Sequence, residues 1–159
     1  MRAPGGRRRA HLRRAGAGAR ASAALLGLEA QGLDGAQPPL ESILEMAYFY
    51  IEAIRTVQPH GPYRLGGWSL GAVIAFEMAR ALRLRGEEVE VLALIEPSPT
   101  AYARGEPVPD ASALAGLFEA DPARLAAVSE EQRQALERVF TANLGALHAH
   151  TPDAAGGRG

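Results

Sequence analysis

Five residues, Gly67-Trp68-Ser69-Leu70-Gly71, restrict the fold of this chain more than any other feature, because of what flanks them. Tyr63-Arg64-Leu65-Gly66 reads as a short apolar strand leading in, and Ala72 to Arg80 reads as an uninterrupted helix leading out. A G-x-S-x-G between strand and helix is the nucleophile elbow, a turn tight enough to ask for glycine on both sides. The serine is expected in strained backbone geometry, with its hydroxyl above the sheet edge. The N–H of Leu70, opening the helix, is then a donor for a developing oxyanion.

The surrounding pattern alternates strand and helix. Residues 23–28 are short and apolar, as a buried strand would be, and the glycines and prolines of 32–39 mark a loop. Ser42 is placed to cap a helix running to about Val57, with Ile43, Ala47, Tyr50, Ile51 and Ile54 on one apolar face. Gly86 is expected to stop the helix after the elbow. Val89–Ile95 reads as a buried strand ending at Glu96. This alternation predicts an α/β fold with a parallel sheet and crossover helices. After a proline-rich loop to Asp110, two more helices are predicted, about 111–119 and 130–148, the second opened by a Ser129/Gln132 capping box.

A serine nucleophile needs a base, and the base needs an orienting acid. With an elbow of this kind the chain order is serine, then Asp or Glu, then histidine. Glu96 is the first polar residue after the strand that follows the elbow, at the end where active groups of such sheets gather. It is the best acid candidate; Asp110 and Asp121 are weaker ones. The four histidines are His11, His60, His148 and His150. His11 lies in an arginine-rich arm, and His60 lies at the wrong end of the elbow strand. His148 and His150 follow the acid in the right order and are the remaining base candidates, although a histidine near a helix end more often complements the helix dipole. Trp68, beside the serine, reads either as core packing or as a wall of an acyl pocket, with core packing the better supported.

Composition narrows the chemistry further. The chain has no cysteine, so thiol nucleophiles, disulfides and cysteine metal sites are excluded. No histidine pair has zinc-ligand spacing, Ala15-Gly16-Ala17-Gly18 has no lysine for a phosphate loop, and no bound cofactor or metal is expected. All 17 basic residues are arginine. Seven fall in residues 1–28, which hold no acid, and the remaining 131 residues carry ten arginines against eighteen acids, a net of −8. Such an arm suits nucleic acid, a transit peptide, or translation out of frame. No run is long enough to span a membrane, and a cytoplasmic setting is expected.

From about Leu26 to Leu147 the chain resembles the chain-terminating thioesterase domain of nonribosomal peptide and polyketide synthetases. The residues carrying the resemblance are Gly27 to Gly35, Tyr50 to Arg55, Gln58 to Gly71, Ala75 to Ala79, Leu92 to Ile95 and Phe140 to Leu144. The resemblance implies a partial α/β-hydrolase fold with part of a helical lid. It implies an acyl or peptidyl chain carried on the phosphopantetheine of a carrier-protein partner, taken up by Ser69 and released by water or an internal nucleophile. Glu96 falls where the family usually has aspartate, one methylene shorter. The family's His-Pro-x-Gly-Gly loop is represented only by Pro4-Gly5-Gly6, and its catalytic histidine has no counterpart before Gly159. The expected organisation is therefore an arginine-rich, disordered or out-of-frame segment over 1–22, a partial thioesterase domain over 23–149, and a disordered tail over 150–159, truncated or frameshifted at both ends and without a secure base. Two other readings stay open: an esterase or editing thioesterase of the same fold, and a non-catalytic carrier-binding protein. No nucleic-acid or membrane partner is expected.

Overall fold

The apolar face read for the helix after Ser42 is the face that the protein buries. In the computed structural model, which describes residues 12–14, 25–96 and 128–150, helix α1 spans Ile43–Arg55 and buries Ile43, Ala47, Tyr50 and Ile51 together with Met46 and Ala53. Ser42 stands at the N-cap but makes no side-chain capping bond. Its carbonyl instead accepts the Met46 N–H at 2.9 Å. Strand β1 is Leu12–Arg14 and β2 is Leu26–Leu28; β3 is Tyr63–Trp68 and α2 is Leu70–Leu84. Strand β4 is Val89–Ile95 and α3 is Glu130–Ala149. Strand β4 has the predicted bounds, and α3 opens on the expected capping box, with both Ser129–Gln132 bonds present. The helix expected over 111–119 lies outside the described residues.

Strands β3 and β4 pair in parallel across α2, as the alternation predicts. The register steps between Tyr63↔Val89 and Arg64↔Val91, leaving Glu90 without a ladder partner. Arg64 holds that carboxylate with two bonds, Nε to Oε2 at 2.7 Å and Nη2 to Oε1 at 3.0 Å. From there the pairing is regular to Trp68↔Ile95.

The core sits between α1, α2 and this sheet, with Ile43, Ile51, Tyr63, Met78 and Leu82 at its centre and Leu147 of α3 closing one side. Helix α2 ends as expected. Gly86 takes φ +78°, and the N–H groups of Gly86 and Glu87 close back on Arg83 and Leu82, each at 3.0 Å. A left-handed residue here favours glycine, and the pair of bonds satisfies carbonyls that the helix end leaves free.

Two features depart from the sequence reading. Strand β2 does not join the β3–β4 sheet among the described residues. It pairs antiparallel with β1, Leu12↔Leu28 to Arg14↔Leu26, so a strand forms inside the segment read as disordered or out of frame. Ladder bonds are made by backbone, and arginine content does not forbid them. Second, β4 is not a buried strand. Val91, Leu94 and Ile95 are 45%, 38% and 57% exposed. Among the described residues α2 is the helix packed on this sheet, and its cover reaches Val89 and Leu92.

Candidate active site

The parallel register delivers two residues to the same place. Trp68 pairs with Ile95, and the Ser69 N–H donates to the Ile95 carbonyl at 3.0 Å. Ser69 and Glu96 therefore sit at adjoining strand ends, in strands about 4.8 Å apart. They are also the two non-glycine residues with positive φ among those described, Ser69 at 53° and Glu96 at 44°. Such conformations cost of order 1–3 kcal/mol each and persist where the surroundings impose them. At Ser69 the imposing element is the turn itself. The Ala72 N–H closes on the Ser69 carbonyl at 3.0 Å, starting α2 directly behind the serine.

A serine at a helix N-cap ordinarily accepts an N–H from the first turn. Ser69 occupies that position and makes no such bond. With φ at 53° it lies outside the extended geometry that capping requires, and its hydroxyl is not engaged by the helix. The Leu70 N–H is in the first turn of α2, where N–H groups lack intrahelical acceptors. The candidate nucleophile and the candidate oxyanion donor thus both stand at the start of α2.

The two glycines of the motif are not equivalent. A Cβ on Gly67 would collide with the Gly71 carbonyl and would stand 2.6 Å from the Ala72 nitrogen, whereas a Cβ on Gly71 meets nothing within 4 Å. The turn asks for glycine before the serine only. The expectation of glycine on both sides is corrected by this open space.

Trp68 also departs from expectation. It is 62% exposed, which overturns the core-packing reading. As the last residue of β3 it lies beyond the cover of α1 and α2, and its indole Nε1–H donates to Glu96 Oε2 at 2.9 Å. No hydrogen bond joins Glu96 to Ser69 directly.

The histidines do not gather here. His150, the C-cap of α3, places Nε2 3.2 Å from Glu77 Oε1, a contact a carboxylate makes only with a protonated Nε2. Glu77 is eight residues along α2 from Ser69, about 12 Å of helix rise. It is 1% exposed, and its other oxygen accepts from Arg80 Nε at 2.8 Å. This buried cluster was not read from the sequence; the i, i+3 spacing of Glu77 and Arg80 was its one local signal. The Glu77 contact places His150 on a different part of α2 from Ser69. His148 is exposed on the last turn of α3 and makes no hydrogen bond among the described residues. His60 lies at the opposite end of β3, 3.3 Å from Glu87. There the Gly61 N–H, donating to Glu87 Oε2 at 3.0 Å, holds the Glu87 carboxyl below the usual carboxylate range, with His60 and Arg55 adding to it. His11, Asp110 and Asp121 lie outside the described residues. Among the described residues no group of metal-ligand side chains is found, and no helix is long and apolar enough to cross a membrane.

The family model of the thioesterase domain matches residues 13–151, and the chain belongs to that family. It is 51% identical over 71 residues to an indigoidine synthase of Dickeya dadantii, covering 45% of this chain and 5% of that protein. It is 49% identical over 70 residues to malpibaldin synthetase of Mortierella alpina, covering 44% of this chain and 1% of that protein. A covalent complex of the NocB thioesterase domain with a fluorophosphonate nocardicin G analog superposes with a TM-score of 0.64 at 31% identity, over 81% of this chain and 55% of that one. A four-domain nonribosomal peptide synthetase bound to AMP and glycine superposes with a TM-score of 0.60 at 26% identity, over 82% of this chain and 13% of that one. The chain thus spans a small part of the curated relatives' length and about half of the NocB domain. The fold is a partial α/β-hydrolase fold, and the domain is of the nonribosomal peptide and polyketide synthetase type.

Proposed function

We propose that Ser69 is the nucleophile of a serine thioesterase that releases an acyl or peptidyl chain from the phosphopantetheine of a carrier-protein partner. Ser69 Oγ attacks the thioester carbonyl, the Leu70 N–H donates a hydrogen bond to the developing oxyanion, and the carrier thiol leaves with a proton. Water or a nucleophile within the chain then takes the acyl group from serine. The reaction as proposed uses no bound cofactor or metal. Glu96 is the carboxylate that orients an imidazole base. The observation that carries this reading is the backbone of Ser69: φ of 53° at a helix N-cap, with the hydroxyl left out of capping.

The placement of the histidines favours a second reading for turnover. His150 is committed to Glu77, and neither His60 nor His148 bonds to Ser69 or Glu96. Loss of the base lowers the rate by several orders of magnitude even where the oxyanion donors remain. The chain then acts as a slow thioesterase or as a carrier-binding protein without turnover.

A fluorophosphonate probe and an acylated carrier protein, used on the same preparation, separate these readings. A mass increase on the Ser69 peptide, absent in Ser69→Ala, is expected from the first. Carrier release at a rate well above the Ser69→Ala background marks a working enzyme; labelling without release marks an acceptor that stalls. Release from simple esters but not from the carrier would move the assignment to an esterase. No labelling at Ser69 would sink the nucleophile assignment.

A further inference from the structure

We infer that Trp68 is a positioning residue for Glu96: its indole N–H anchors one carboxylate oxygen, so that the other is presented at a fixed place beside Ser69. The inference rests on the proposed role of Glu96 as orienting acid. Three observations carry it. The bond runs from Nε1 to Oε2 at 2.9 Å, which leaves Oε1 to accept a proton-bearing nitrogen. It joins the residue before Ser69 to the residue after Ile95, across the last rung of the β3–β4 ladder. It also sits between the two strained backbones of the described structure, Ser69 and Glu96.

The chemistry of the two side chains explains why this pairing is useful. A glutamate carboxylate stands at the end of three side-chain torsions, and an exposed one samples many positions. Imidazole orientation by a carboxylate depends on that carboxylate being held, as the supporting groups of working sites are. Indole is suited to the holding task because it is a donor only, has two side-chain torsions, and cannot compete for the nitrogen that Glu96 must hold. The exposure of Trp68 is the expected cost of this arrangement. A residue that packs into the core would be buried, whereas Trp68 remains 62% exposed while its polar tip is engaged.

Trp68 is the only tryptophan of the chain, so its fluorescence reports this contact without background. The wild-type chain is expected to show restricted indole motion in time-resolved anisotropy. Glu96→Gln keeps an acceptor oxygen, so the anisotropy stays. Glu96→Ala removes the acceptor, so the indole motion is freed. An anisotropy unchanged in Glu96→Ala, or lost as fully in Glu96→Gln as in Glu96→Ala, overturns the anchor.

The positioning role is read separately. With imidazole supplied as external base, Trp68→Phe and Glu96→Ala should each slow fluorophosphonate labelling of Ser69 about tenfold, and the double variant should be no slower than either. Additive losses would show that Trp68 acts independently of Glu96 and would overturn the role. Circular dichroism of each variant guards against unfolding. If Ser69 is never labelled, the nucleophile assignment falls, while the fluorescence still decides whether Trp68 holds Glu96.

Discussion

The two halves of helix α2 are built to opposite rules. Its first turn holds Ser69 in a backbone conformation that costs free energy, with an unengaged N-cap hydroxyl. Its second half buries Glu77, Met78, Ala79 and Leu82, pairs its one buried charge with two partners, and ends on two closing hydrogen bonds. The difference teaches where the strain is balanced. A turn that leaves donors and a hydroxyl available needs a helix behind it that cannot shift, and packing against α1, β3 and β4 provides that.

The sharpest way to break this comparison is at its strained end. Gly67→Ala puts a methyl group into the Gly71 carbonyl and the Ala72 nitrogen, and should cost about 3 kcal/mol or more, read as the midpoint of urea unfolding. Gly71→Ala, in open space inside a helix, should leave the midpoint unchanged or raise it by up to about 1 kcal/mol. Equal losses from both would show that the turn is not the rigid element described.

At the settled half, Glu77→Ala should cost about 2–3 kcal/mol, because it removes the buried acceptor that His150 reaches. Glu77→Gln, which keeps an acceptor, should recover part of that loss. Further along, Gly86→Ala forces a Cβ into a left-handed residue and should cost about 1 kcal/mol. The same unfolding series checks both.

The smallest effect is expected at the far end of the helix, where Glu87 receives the Gly61 N–H. Its folded-state carboxyl is held below the usual range, so the unfolded chain binds that proton more readily. The stabilisation is present above the ordinary value of 4.5 and is lost as pH falls through and below it. Unfolding midpoints taken from pH 6 down to pH 3 should decline, and Glu87→Gln should flatten the decline.

What could be read from the sequence was whatever a short window decides. The bounds of β4, the capping box at Ser129 and the stop at Gly86 all follow from neighbours within a few residues. The strand, turn and helix of the elbow were legible for the same reason, and the parallel register carries Ser69 to Glu96 once both strands are placed. The misses are pairings between distant residues. The β1–β2 ladder, the Trp68–Glu96 bond and the Glu77–His150 contact each join segments that no periodicity relates. Trp68 was misread for a further reason: large apolar side chains are usually core, and only its place at the end of β3 shows that it is not.

The water-facing apolar side chains at the carboxyl end of the sheet set how this protein behaves in bulk. Ile95 and Trp68, with Val91 behind them on the same face, offer neighbouring molecules an adhesive patch, and a formal net charge of −1 at pH 7 gives them little long-range repulsion to oppose it. Every basic residue is arginine and cysteine is absent, so between about pH 7.5 and pH 9.5 little more than the terminal amine changes its charge. Alkaline buffer is therefore a weak remedy for self-association in this chain. Colloidal stability would have to come from cosolutes, dilution or added acidic residues.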